Sequence, residues 1–195
     1  KYNTTNNPTL KIYDLRIISG KFKSIHIPFN KSIKARPTTS SAKEALFNIL
    51  ENKDILTDSK VLDLFSGTGS IAYEFISRGA KSVICVDRQI NSIKFIRSIA
   101  TKHAMNITTY RADALKYVLK SRKKSLDIIF ADPPYNLENI QEIPELILNS
   151  GILKKNGFLI LEHGRDVNFQ ESTNFIEKRT YSSVNFSFFK IKSEK

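Results

Sequence analysis

The most specific chemistry in this 195-residue chain is written in Asp132-Pro133-Pro134-Tyr135. Consecutive prolines have no N–H to donate and fix the backbone, leaving carbonyls turned outward after a buried strand. The Asp132 carboxylate and the Pro133 carbonyl can then accept both hydrogens of one –NH2 group. An amine held this way turns its nitrogen lone pair toward an electrophile. Tyr135 adds a flat face for stacking a nucleobase, a contact worth about 1–3 kcal/mol. A plain proline turn is the bland alternative, and the glycine motif upstream argues against it.

That motif is Asp63-Leu-Phe65-Ser-Gly67-Thr-Gly69-Ser-Ile-Ala72. Its glycines allow a sharp turn and close approach to a ligand, and the helix that follows offers unpaired N–H groups. Gly67-x-Gly69-x-x-Ala72 also matches a dinucleotide fingerprint, with Asp87 near the distance expected of a ribose-binding carboxylate. Asp63 tilts the choice: it would repel a pyrophosphate but attract a cofactor bearing an ammonium and a sulfonium. Asp87 can accept both ribose hydroxyls. Asp113 can accept from an adenine amino group, with Ala114 leaving room for the ring. Each of these two acids alone reads more readily as a helix cap or solvated strand end; their shared register with Gly67 raises the reading as ligand contacts.

The remaining reactive side chains carry little. His26, His103 and His163 are scattered without metal-ligand spacing, so no metal is expected. Cys85, the single cysteine, lies in an apolar strand and reads as core, which fits a reduced compartment and a cytoplasmic location. Glu74 is expected to face solvent. The net charge of +12 is segregated: residues 1–43 hold nine Lys/Arg against Asp14 alone, as a phosphate-binding surface requires. Solubility is the plainer reading of that charge. No apolar run approaches the ~20 residues that span a bilayer, and no signal-peptide pattern is visible.

The elements that must position these residues alternate. A β-hairpin is expected from Leu15–Ser19 through a turn at Gly20-Lys21 to Ile25, Ile27 and Phe29. Ser41-x-x-Glu44 reads as a capping box that starts a helix with Ala42, Ala45, Leu46, Ile49 and Leu50 on its apolar face. From Lys60 onward strand and helix repeat: strands at 61–64, 83–86, 107–111, 126–131 and 158–161, helices at 70–78, 90–103, to about 121, and 140–148. Residues 177–182 and 185–191 read as a closing antiparallel pair. Such alternation means βαβ units in a parallel sheet covered on both faces, with ligands beyond the carboxyl ends of the strands. Asp63, Asp87, Asp113, Asp132 and Glu162 all fall at or near such ends. The segments expected are a frayed 1–14, a basic hairpin and helix over 15–52, and the main domain over 53–195.

The ordered set Asp63-x-Phe65-x-Gly67-x-Gly69, Asp87, Asp113-Ala114 and Asp132-Pro-Pro-Tyr135 is similar to class I amino-methyltransferases. Arg16-Ile-Ile-Ser-Gly20-Lys-Phe-Lys23, Arg36-Pro-Thr38, Glu44-Ala-Leu-Phe-Asn48 and Ser77-Arg-Gly-Ala80 narrow the resemblance to the bacterial 16S ribosomal RNA guanine-N2 methyltransferase family, the RsmD family, over about residues 15 to 192. That resemblance implies a Rossmann-like, seven-stranded, mostly parallel sheet with helices on both faces and an N-terminal β-hairpin that docks RNA. It implies S-adenosyl-L-methionine held by Asp63, Phe65, Gly67, Gly69, Asp87, Arg88, Asp113 and Ala114. Asp132, Pro133, Pro134 and Tyr135 would be catalytic, and Arg16, Lys21, Lys23, Arg36 and Thr38 would meet RNA. The implied partner of this monomer is 16S rRNA within a small subunit or assembly intermediate. Ser182-Ser183 departs from the glycine expected after Tyr181. An adenine-N6 nucleic-acid methyltransferase, an NAD(P)-dependent oxidoreductase and a non-catalytic RNA-binding module remain as alternatives.

Overall fold

The computed structural model describes residues 13–29, 33, 39–121, 125–134, 137–181 and 184–191. Five strands and their connecting helices follow the expected alternation: β3 (Lys60–Leu64), β4 (Ser82–Asp87), β5 (Ile107–Arg111), β6 (Leu126–Ala131) and β7 (Leu153–His163). An antiparallel pair, β8 (Phe175–Tyr181) and β9 (Val184–Phe189), completes one sheet. Its order is β5-β4-β3-β6-β7-β9-β8, parallel except where β9 runs between β7 and β8. A second, two-stranded antiparallel sheet joins β1 (Tyr13–Arg16) to β2 (His26–Phe29).

Side chains alternate across a strand, so β3 sends Val61 and Asp63 to one face and Leu62 and Leu64 to the other. The first face packs against α1 (Ser40–Asn52), α2 (Ser70–Ser77), α3 (Ile90–Lys102) and the hairpin residues Leu15, Ile17, Ile27 and Phe29. The second packs against α4 (Ala114–Lys120) and α5 (Ile143–Asn149), which follows a 3-10 turn at Ile140–Glu142. The result is the Rossmann-like architecture with a mostly parallel sheet sandwiched by helices. No helix among the described residues is long and apolar enough to cross a membrane.

Three local features differ from the sequence reading. Helix α1 starts one residue before Ser41 because Thr39, not Ser41, is the N-cap: its hydroxyl accepts from the Ala42 N–H at 3.3 Å. Strand β7 starts at Leu153, yet Leu126 pairs with Leu153 and Ile128 with Phe158, so residues 154–157 bulge out of the ladder. The Lys-Lys-Asn-Gly segment, ahead of the strand expected at 158–161, is that bulge, and an ion pair of 2.7 Å joins its Lys154 to Asp127. The hairpin strands are also shorter and farther apart than expected, β1 beginning at Tyr13 and β2 only at His26.

Residues 17–25 between those strands form a compact loop seated on the carboxyl end of α2. Lys21 N–H donates to the Ser77 carbonyl at 2.7 Å and Phe22 N–H to Ser77 Oγ at 3.0 Å. The Ser77 hydroxyl donates to the Ser19 carbonyl. These bonds satisfy groups that a helix end leaves open. Contact is closest at Gly20, where φ is +82° and a Cβ would lie 1.9 Å from the Ser77 carbonyl oxygen. Gly20→Ala should therefore cost about 2–3 kcal/mol, lowering Tm by roughly 4–12 °C in thermal denaturation. Melting within about 2 °C of the parent would mean that the loop does not sit on α2.

Candidate active site

Where β3 ends, the chain makes a turn that a regular backbone cannot follow. Phe65, Gly67 and Gly69 all have positive φ, at 61°, 53° and 78°. Gly69 is the N-cap of α2, and its N–H donates to the Ser66 carbonyl at 2.7 Å. A Cβ on Gly69 would meet Ile96 Cγ1 and the Tyr73 ring and hydroxyl at 2.9 Å. The second glycine is thus required both by its backbone angle and by the tyrosine beneath it.

Neighbouring strands clamp the turn. Ser66 bridges to β4, its N–H donating to the Val86 carbonyl at 3.2 Å and its Oγ accepting from the Val86 N–H at 3.0 Å. Asp87, at the end of β4, accepts the Gly67 N–H on Oδ2 at 2.8 Å and the Gln89 N–H on Oδ1 at 2.7 Å. Each carboxylate oxygen keeps a second acceptor site. Asp87 therefore shapes the glycine turn as well as standing at the position expected to meet a ribose.

Asp63 is treated differently. It is 1% exposed, and its Oδ2 has no hydrogen-bond partner. Burial first, and the Asp87 charge second, push its carboxyl well above the usual carboxylate range. The same face holds the Cys85 thiol, which burial and the Asp63 charge push up, consistent with an inert core cysteine. The buried Tyr73 hydroxyl also lacks a partner. Nothing in the linear pattern singles out Tyr73; only the fold brings it under Gly69.

Asp132 follows β6, the other neighbour of β3. Leu64 pairs with Ala131, and the Asp132 N–H donates to the Leu64 carbonyl at 3.4 Å. Asp132 thus stands beside Phe65, at the mouth of the glycine turn. Pro133 is buried and Pro134 exposed, with the Pro134 carbonyl accepting from Leu137 N–H at 2.8 Å to turn the chain. Glu162, 3% exposed, lies near the end of β7, the next strand over. Tyr135 lies outside the described residues, as do Arg36 and Thr38.

The remaining expected residues are more dispersed. Asp113 caps α4, its Oδ1 accepting the Lys116 N–H at 3.0 Å, with Ala114 buried behind it. Arg88 is exposed, and its carbonyl accepts from Arg111 Nε at 3.3 Å. Arg16, Lys21 and Lys23 are exposed on the hairpin. His163 is buried: its Nδ1–H donates to the Gly164 carbonyl at 2.8 Å and its Nε2 lies 2.8 Å from Ser187 Oγ, so it serves the core.

Glu74 reverses its expected placement. It is fully buried, accepts the Ile18 N–H of the hairpin loop, and pairs with Arg78 at 3.2 Å and Lys43 at 3.4 Å. A helix exposed on one face would have left it in water. The hairpin covers that face.

The site fits the cofactor that the sequence resemblance implies. The orphaned Asp63 oxygen suits an ammonium, the glycine turn admits close approach, and Asp87 retains acceptors for hydroxyls. Fold and site together define a class I methyltransferase architecture. Among solved structures, the Escherichia coli protein yhhF superposes with a TM-score of 0.78 at 23% identity, covering 93% of this chain and 100% of that one. The Thermus thermophilus 16S rRNA N2 methyltransferase RsmC, solved with AdoMet and guanosine, gives 0.72 at 17%, covering 95% of this chain and 52% of that one. Likeness at these identities establishes the fold. The family described as Conserved hypothetical protein 95 matches residues 15–190. The Ribosomal RNA small subunit methyltransferase D of Buchnera aphidicola subsp. Baizongia pistaciae is 36% identical over 81% of this chain and 80% of its own length. This chain belongs to that family, the RsmD family of methyltransferases.

The raised Asp63 carboxyl has a thermodynamic consequence. The folded state keeps this proton where an unfolded Asp, near pH 4, has already lost it. Its contribution to stability is complete below about pH 4 and lost as pH rises toward the folded value. In the ligand-free protein, the Tm of Asp63→Asn should therefore gain on the parent progressively between about pH 4 and 8. A Tm difference that stays flat over this range would show that Asp63 ionises normally.

Proposed function

We propose that this protein transfers a methyl group from S-adenosyl-L-methionine to the exocyclic N2 of a guanine in small-subunit ribosomal RNA. The observation that carries the reading is the adjacency of Asp132 to the glycine turn, through the Leu64–Ala131 pair and the Asp132–Leu64 hydrogen bond. A ligand over that turn and an amine held by Asp132 would be neighbours. The names of the relatives support the RNA substrate, and the guanosine bound to RsmC supports the base.

The residues divide the work. Asp63 would take the ammonium, the turn at Gly67–Gly69 would admit the chain of the ligand, and Asp87 and Asp113 would face its ribose and adenine. When bound, the cofactor supplies a methyl carbon already activated by its sulfonium, so the protein's contribution is chiefly positioning. Asp132 and the Pro133 carbonyl would accept the two N–H bonds of the target amine, aim its lone pair, and leave the departing proton beside a carboxylate. Tyr135 would stack the base after it leaves its helix. Arg16, Lys21 and Lys23, with Arg36 and Thr38, would hold the RNA backbone, and each phosphate contact would make binding salt-dependent. The hairpin and α1 thus form the docking segment, and the rest of the chain the catalytic body.

Asp132→Ala should lower methyl transfer to small-subunit RNA at least about 100-fold, while the calorimetric Kd for S-adenosylmethionine stays within about threefold. Mass mapping of the product separates guanine-N2 from adenine-N6 transfer. Parent-like turnover in the variant would end the catalytic role given to Asp132, and modified adenine would redirect the substrate.

A further inference from the structure

Lys43 belongs to no motif that reads as chemistry, yet it is 3% exposed. Its ammonium donates to the Arg16 carbonyl at 3.0 Å and to Ser70 Oγ at 3.1 Å, and lies 3.4 Å from Glu74 Oε1. An ammonium has three donors, and here three acceptors meet it. They come from the hairpin strand that carries Arg16, from the first residue of α2 after Gly69, and from the middle of α2. Lys43 itself belongs to α1. Glu74 extends the cluster by accepting the Ile18 N–H, and Arg78 joins it to Glu51 through contacts of 3.2 and 2.7 Å.

Such a cluster is a poor way to gain stability. A buried charge loses several kcal/mol of hydration, and an apolar side chain of similar length would fill the space without that loss. What only the ammonium does is hold three acceptors on two elements, β1 and α2, at fixed separations from α1. Both elements lead directly to the proposed ligand surfaces: Arg16 and the loop after it to RNA, Ser70 to the glycine turn.

We infer that Lys43 is a positioning residue whose ammonium fixes the hairpin that docks RNA relative to the glycine turn that seats the cofactor. The inference rests on the proposed function. It assigns Lys43 to the alignment of two bound ligands, not to the binding of either. A misplacement of about 1 Å between reacting groups can cost 100-fold in rate while each ligand still binds.

The test uses Lys43→Met, Lys43→Arg and, as a second disruption that keeps side-chain shape, Glu74→Gln. With small-subunit ribosomal RNA as substrate, Lys43→Met and Glu74→Gln should lower kcat at least about tenfold, with KM for RNA and the calorimetric Kd for S-adenosylmethionine within about threefold. Lys43→Arg should recover most of the rate. Amide hydrogen exchange supplies a readout independent of turnover: the Ile18 amide and residues 66–70 should exchange faster together in Lys43→Met, while β4 stays protected. Unchanged kcat, a KM or Kd that moves as far as kcat, or loosening of only one segment would overturn the inference. A parent protein inactive on this RNA would count against the proposed function instead, and hydrogen exchange would still decide the role of Lys43.

Discussion

Leu64 opposite Ala131 is the contact on which the rest of the site depends. These residues end β3 and β6, adjoining strands whose following segments leave toward opposite faces of the sheet: α2 on one side and α5 on the other. The divergence opens a crevice at the carboxyl ends, as it does wherever strand order reverses in an open α/β sheet. One further hydrogen bond, from Asp132 N–H to the Leu64 carbonyl, carries the ladder past the sheet and brings Asp132 beside the glycine turn. A slip of one residue would send Asp132 to the opposite face. The apolar sides of β6 make that slip costly, because Ile128 and Phe130 pack on one face and Ile129 and Ala131 on the other.

Two buried acids on the same side of the sheet show how the protein separates scaffold from site. Glu74 has a full set of partners: Ile18 N–H, Lys43 and Arg78. Asp63, two strand residues before the turn, keeps an unpartnered oxygen and is driven toward its neutral form. A satisfied buried charge fixes a geometry; an unsatisfied one stores an interaction for something not yet present. Burying Asp63 opposes folding of the free protein, and the proposed ammonium partner would ease that opposition.

The parallel sheet and the glycine turn were legible because their signals are local. Val61-Leu-Asp-Leu64 followed by glycines reads as a strand entering a tight turn without knowledge of any distant residue. Where partners are remote in sequence, local pattern does not reveal a side chain's placement. Glu74 looks like a surface residue on an eight-residue helix, but every residue of α2 is buried because the loop at 17–25 covers its outer side. The same remoteness hid Lys43, whose partners Arg16 and Ser70 are each 27 residues away. Asp113 performs the helix cap that its position after a strand already suggested, while the hold of Asp87 on Gly67 depends on a backbone N–H that sequence pattern alone does not order. Ser41 shows the converse: a good capping-box pattern lost to Thr39, whose hydroxyl reaches the Ala42 N–H.

The division of charge along the chain also has a physical reason. A surface that grips phosphates must be cationic, yet the proposed cofactor is itself cationic at its sulfonium and ammonium. Placing both demands on one patch would set them against each other. Here the exposed Lys21 and Lys23 belong to the hairpin loop, which is bonded to the carboxyl end of α2. The acids Asp63 and Asp87 surround the amino end. Eight helical residues separate the two by about 12 Å, longer than the ~8 Å over which physiological salt screens charge. The helix dipole works in the same direction, since its carboxyl end favours the basic loop. Helix α2 would therefore be both the strut that joins the two proposed surfaces and the spacer that keeps the positive one from weakening the other.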